Sequence, residues 1–241
     1  MKANTILKTF GNLSGLFEWG KEGGYCDGNP FGLYNSSIRK RPGASPETPT
    51  PHTIEEFSKL LLTAWLMDKL IFMAILLASF CGLRRKELLR ITYGDLYLKF
   101  GTVKVRKAIT KEKKNKKSRP VKVATSFILF WKLIPVMDSA LRIIPLTEVE
   151  YTVRLKAVRD AAGIEEWGKD RMRKNYSILQ QWLLAPLATR KIWLGHEEDS
   201  GTTEDFYDGD ADPEWANNFE KLPPADVLGQ DVQPCKPEDL V

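Results

Sequence analysis

A chain of 241 residues can hold one sizeable core and a small second unit, and its formal charge of +5 suits a polyanionic partner without demanding one. At 43% hydrophobic and 28% charged it is ordinary for a soluble globular protein, and its apolar run Leu70 to Leu83 is too short to span a bilayer. Three scattered cysteines and two histidines argue against a disulfide framework and against a zinc site, and no secretory signal opens the chain, so a reducing, cytoplasmic setting is expected, without cofactor or metal.

In chain order, Ile6, Leu7, Phe10, Leu13, Leu16, Phe17 and Trp19 recur at helical spacing over residues 4–22, and Gly23-Gly24 ends that helix. Residues 38–52, with Arg-Lys-Arg-Pro-Gly and three further prolines, read as a linker between a small N-terminal piece (1–37) and the main domain (53–210). Thr53 followed by Glu56 is a capping-box pattern that opens a helix, a second helix covers about 67–81 and stops at Gly82, and a short third starts near Arg85.

From Asp95 to Val123 the period changes. Leu96-Tyr97-Leu98, Thr102 to Val105 and Arg119 to Val123 alternate as short strands, with a lysine-rich turn between the last two. Helical pattern returns at 126–143, 147–162, 171–184 and 186–194. The segment 211–241 reads as an acidic tail, with a short helix at 213–221 and a disordered end. The fold class is therefore mainly α with a small three-stranded antiparallel sheet.

Positive charge crowds between Arg84 and Lys122. Arg84, in G-L-R-R-K-E-L, stands at a helix start where a planar guanidinium fork can face phosphate oxygens. The same residue also fits an amphipathic helix with a surface arginine. The turn Lys111 to Lys117 is either a solvated basic hairpin or a source of one general acid. Farther on come Arg173 in D-R-M-R, His196 in L-G-H, and Tyr207 in T-T-E-D-F-Y-D. Two arginines, a lysine, a histidine and a tyrosine suit attack by a phenol oxygen on a phosphodiester. Tyr151 and Tyr176 fall inside helical patterns and read as packing residues.

These motifs, in this order, resemble the tyrosine recombinases, the phage-type integrases. Gly82 to Leu96 is similar to that family's first arginine box, with Arg84 in the catalytic position and Glu87, Leu88 and Asp95 in supporting ones. The turn before Arg119-Pro120-Val121 resembles its catalytic hairpin, which implies Lys114 as the acid, with Lys113 and Lys111 as rivals. Trp167 to Lys174 occupies the H-x-x-R box: Arg173 fits the second arginine, while Asp170 stands where histidine is usual. Leu194-Gly195-His196 follows at a spacing typical of the family, and Tyr207 ends a T-T-x-x-Y-like segment.

Residues 4–33 resemble the last helix of the family's core-binding domain. The resemblance implies a site-specific DNA recombinase acting through a 3′-phosphotyrosyl link, on double-stranded DNA, as a homotetramer when bound and with a free monomer allowed. It implies phosphate or base contacts from Arg85, Lys111, Lys113, Lys116, Lys117, Arg119 and Lys174. A catalytically impaired DNA-binding relative and a type IB topoisomerase are the alternative readings.

Overall fold

The computed structural model describes residues 3–31, 50–107, 118–165, 167, 170–195 and 213–240. The chain forms two units, Met1–Thr48 and Pro49–Val241. In the first, helix α1 (Ala3–Glu22) receives Phe31 against Phe10 and Phe17, with ring centroids 5.6 and 5.3 Å apart. The Asn29 amide donates to Ser14 Oγ at 2.8 Å and to Glu18 at 2.8 Å, fastening the turn back onto the helix.

The second unit begins where Thr53 caps α2 (Ile54–Met67) in a complete capping box with Glu56. Asp68 then caps α3 (Lys69–Cys81), accepting from the amides of Leu70 and Ile71. Helix α3 is apolar on every face and buried from Leu70 to Cys81, so it forms the centre of the core. Gly82 closes it in the left-handed region with φ of 63°. A Cβ there would meet the Tyr176 ring at 2.4 Å, so this position requires glycine on two counts.

Helix α4 (Arg85–Leu88) follows, then β1 (Leu96–Tyr97), β2 (Thr102–Val105) and β3 (Arg119–Lys122) in an antiparallel sheet of order β1-β2-β3. Thr102 pairs with Lys122 and Val105 with Arg119. Val103, Val105 and Val121 point into the core. Helices α5 (Thr125–Trp131), α6 (Glu148–Ala161), α7 (Arg171–Trp182) and α8 (Leu187–Leu194) complete the part that carries the motifs. Helix α7 packs along α3 and is buried from Arg171 to Gln180 despite its polar sequence.

Three expectations change. The helix expected over 126–143 stops at Trp131. Pro135 cannot donate within a helix, and the Leu133 carbonyl accepts instead from Cys235 N at 2.8 Å. The C-terminal segment is no tail. Helices α9 (Pro213–Glu220) and α10 (Pro224–Leu228) bury Phe219, Leu222 and Val227, and Cys235 and Leu240 are buried beyond them. Glu220 accepts from Thr125 N at 2.9 Å and Thr125 Oγ1 at 2.7 Å, capping α5 from far along the chain. Nor is the end of the linker loose. His52 is fully buried, its carbonyl accepts from Trp215 Nε1 at 2.8 Å, and Arg171 donates to the carbonyls of Thr50 and Pro51 and to Glu56.

Candidate active site

The turn at Gly82 sets Arg84 at the N-cap of α4. Arginine has no side-chain oxygen to cap the helix, and the return half of the box comes from Glu87, which accepts from Arg84 N at 2.9 Å. Glu87 is 1% exposed, and both its oxygens accept from Arg119 Nη2 at 2.9 Å. Arg119 reaches it because the strand alternation places Arg119 on the same inward face as Val121. Its Nε donates to the Trp193 carbonyl at 2.9 Å. Arg173, near the start of α7, donates through Nη1 to the Gly82 carbonyl at 3.0 Å and through Nη2 to the Leu194 carbonyl. Arg84 Nη2 donates to the Gly195 carbonyl at 3.2 Å.

Three arginines from three separate elements thus meet the last carbonyls of α8. Those carbonyls have no partner inside the helix and lie at the negative end of its dipole, so guanidinium donors are favoured there. Gly195 turns the chain with φ of 66°, and a Cβ on it would lie 2.8 Å from Arg84 Nη1 and 2.9 Å from Arg119 Cζ. Glycine is what lets the backbone come so close to the cluster. Burial lowers the Arg119 pKa, with Glu87 acting in the opposite direction. Among the described residues three guanidiniums meet one carboxylate in this cluster. The Arg84 side chain is 32% exposed and so presents positive charge to solvent. The arrangement suits an anion with several oxygens.

Arg84 and Arg173 therefore both meet the end of α8. Arg85 is exposed and lies over the Tyr151 ring, 6.0 Å from its centroid. Asp170 is exposed at the N-cap of α7 in the left-handed region, φ 58°, and its side chain makes no capping bond. Arg119 and Lys174, expected at a nucleic-acid surface, are 6% and 1% exposed and lie inside the fold. Arg119 is drawn in by the Glu87 carboxylate, and Lys174 by its place on the buried helix α7. Lys111, Lys113, Lys114, Lys116, Lys117, His196 and Tyr207 lie outside the described residues. Asp95, 3% exposed, accepts from Thr92 N and pairs with Arg106, holding the turn before β1.

Burial raises the Tyr93 and Tyr151 hydroxyls to about 12 and pushes Tyr176 well above its ordinary value. Tyr176 donates to the Lys122 carbonyl at 2.8 Å. These three are packing residues. The Glu87–Arg119 pair was not singled out in the sequence. The signal was there: an arginine in register with the inward-facing Val121 and Val123 must be buried, and a buried arginine needs an acid. Among the described residues no three or more His, Cys, Asp or Glu converge as a metal site, and no helix is long and apolar enough to cross a membrane.

No protein-family model matches the chain, and no curated protein matches it. Solved structures do. A variant of the Tn1549 transposon integrase in complex with transposon right-end DNA superposes with a TM-score of 0.63 at 16% identity, covering 92% of this chain and 80% of that one. A lambda integrase dimer bound to a COC′ core site gives 0.56 at 17% identity, covering 88% and 76%. XerA recombinase gives 0.53 at 16% identity, covering 79% and 71%. At these identities the likeness is one of fold, and the chain has the fold of the tyrosine recombinase catalytic domain.

Proposed function

We propose that this chain is a site-specific recombinase that cleaves and rejoins double-stranded DNA through a 3′-phosphotyrosyl intermediate. The observation that carries the reading is the convergence of Arg84, Arg119 and Arg173 on the end of α8, one residue before His196. A scissile phosphate seated at the exposed face of Arg84 gains charge as its phosphorus becomes pentacoordinate, and fixed guanidiniums stabilise that charge without reorganising.

Tyr207 Oη gives up its proton to water and attacks phosphorus, the bond to the 5′ oxygen breaks, and a lysine of the 111–117 turn, Lys114 first, protonates the leaving oxygen. His196 donates to a non-bridging oxygen. The reverse attack by a 5′ hydroxyl of the partner strand restores the phosphodiester and frees the tyrosine. Arg85 and the hairpin lysines contact the backbone, and a homotetramer holds two sites together. One observation favours the second reading, an impaired DNA-binding relative: Asp170 sets a carboxylate at the start of the helix that carries Arg173.

The test is covalent trapping on nicked duplexes drawn from a random-sequence pool, followed by recovery of adducts that survive denaturant. Wild type should yield an adduct mapped to Tyr207. Tyr207→Phe should yield none while still binding DNA, and Arg84→Ala should lower the yield by about 100-fold or more. An undiminished adduct in Tyr207→Phe overturns the assignment. Relaxation of supercoiled plasmid without sequence preference would identify a topoisomerase instead.

A further inference from the structure

Among the described residues Glu87 is the carboxylate that meets the arginine cluster, and it is almost fully buried. A buried carboxylate must be matched by a cation close by. Among the described residues two stand within reach. Arg119 meets both oxygens at 2.9 Å, and Arg84 Nη1 lies at 3.7 Å from Oε1. The nearer, two-oxygen contact takes the larger share of the charge. Arg119 makes a second grip at the same time, its Nε on the Trp193 carbonyl. With a side chain only 7% exposed, it is badly placed to meet DNA itself.

We infer that Arg119 is a positioning residue of the phosphate site: it occupies Glu87 so that this carboxylate does not draw in Arg84, and it anchors the end of α8 from which His196 departs. The inference rests on the proposed phosphate site at Arg84. Without the Arg119 charge, the nearest cation left to Glu87 among the described residues is Arg84, already joined to it through the backbone amide. The side chain of Arg84 would then close on Glu87, and the face it offers an anion would be lost. Lysine at this position would keep the charge but not the fork or the Nε bond to Trp193.

Two readouts test this on the full chain. The first is the rise in melting temperature with added inorganic phosphate, which needs no DNA cleavage. The second is the adduct rate on the trapping substrate. Arg119→Gln should abolish the phosphate response and lower the adduct rate by about 100-fold. Adding Glu87→Gln to it removes the rival claim on Arg84. The double variant should regain the phosphate response and at least about tenfold in rate, although it lacks both members of a buried pair. Arg119→Lys should keep the phosphate response.

In Arg119→Lys and in the double variant the salt dependence of DNA binding should match wild type, whereas a direct phosphate contact from Arg119 itself would leave the double variant's slope lower by about 0.9. A wild-type chain without any phosphate response, a full response in Arg119→Gln, or a double variant no better than the single one overturns the inference. If Arg119→Gln does not fold, the comparison of Arg119→Lys with the double variant decides: a lost response in either refutes it. A phosphate pattern as expected, with no adduct in wild type, leaves the positioning role standing and sinks the recombinase reading alone.

Discussion

Gly195→Ala asks how rigidly the guanidinium cluster is held. Its φ of 66° costs an alanine about 1–2 kcal/mol. Gly163 supplies the control, since it has φ of 69° and nothing within 4 Å of a built Cβ. Gly163→Ala therefore carries the conformational cost alone. At Gly195 the new methyl would also sit 2.8 Å from Arg84 Nη1 and 2.9 Å from Arg119 Cζ, well inside the usual contact distance. Arg84 is partly exposed and can yield by a few tenths of an ångström toward solvent. Arg119 cannot, because Glu87 and the Trp193 carbonyl hold it. Displacing it should cost one charge-assisted hydrogen bond, about 1.5–3 kcal/mol beyond the control. For a unit of this size that difference lowers the melting temperature by roughly 3–12 °C. Thermal unfolding of both variants by circular dichroism reads it directly. Equal melting temperatures would refute the claim that Arg119 is fixed in place. Gly195→Ala alone should also lose adduct yield.

Other perturbations probe other parts of the chain. Burial first, then the nearby Arg171 charge, lower the His52 pKa from 6.5 to about 3. The unfolded chain therefore binds a proton that the folded chain refuses between those values. The stability due to neutral His52 is complete above pH 6.5 and drains as pH falls, by at most about 1.4 kcal/mol per unit. Urea midpoints measured from neutral to mildly acid pH should fall more steeply for wild type than for His52→Gln, and parallel lines would contradict the assignment. Phe219 is fully buried against Phe57 and Phe80, with ring centroids 5.0 and 4.7 Å away. Phe219→Ala should cost about 3–5 kcal/mol by denaturant unfolding, and no loss would mean that α9 is not part of the core. Asp170→His should raise the adduct rate, and Asp170→Asn should fall between it and wild type. If both substitutions slow the reaction, Asp170 is a working base and the impaired reading fails.

The helix boundaries legible in the sequence are those set by local chemistry. Thr53 with Glu56, and Gly82, each satisfy their own backbone within a few residues, so their roles can be read without knowing the fold. What could not be read depends on distant partners. The composition of 211–240 is acidic and rich in proline, and its few apolar residues are widely spaced. Phe219, Leu222, Val227 and Leu240 nevertheless each fill a place in the core. The same segment explains the end of α5, because Leu133 bonds to Cys235 rather than continuing the helix. Arg84 and Arg173 could be paired from motif order. That Arg119 joins them inside the fold follows only once the strand register and Glu87 are seen together.

The arginines of the fold differ in the groups that accept from them. Arg106 with Asp95, Arg154 with Asp68 and Arg171 with Glu56 each close on a carboxylate, so their charge is spent within the fold. Among the described residues the cluster's accepting groups are chiefly backbone carbonyls, of Gly82, Trp193, Leu194 and Gly195. A carbonyl satisfies a guanidinium's donors and fixes its orientation, but it carries no net charge and neutralises little. Three carboxylates there would have stabilised the arginines equally well and left nothing for a phosphate. Helix ends as acceptors fix the guanidiniums without cancelling their charge, and the proposed stabilisation of a phosphoryl transition state would need both properties at once.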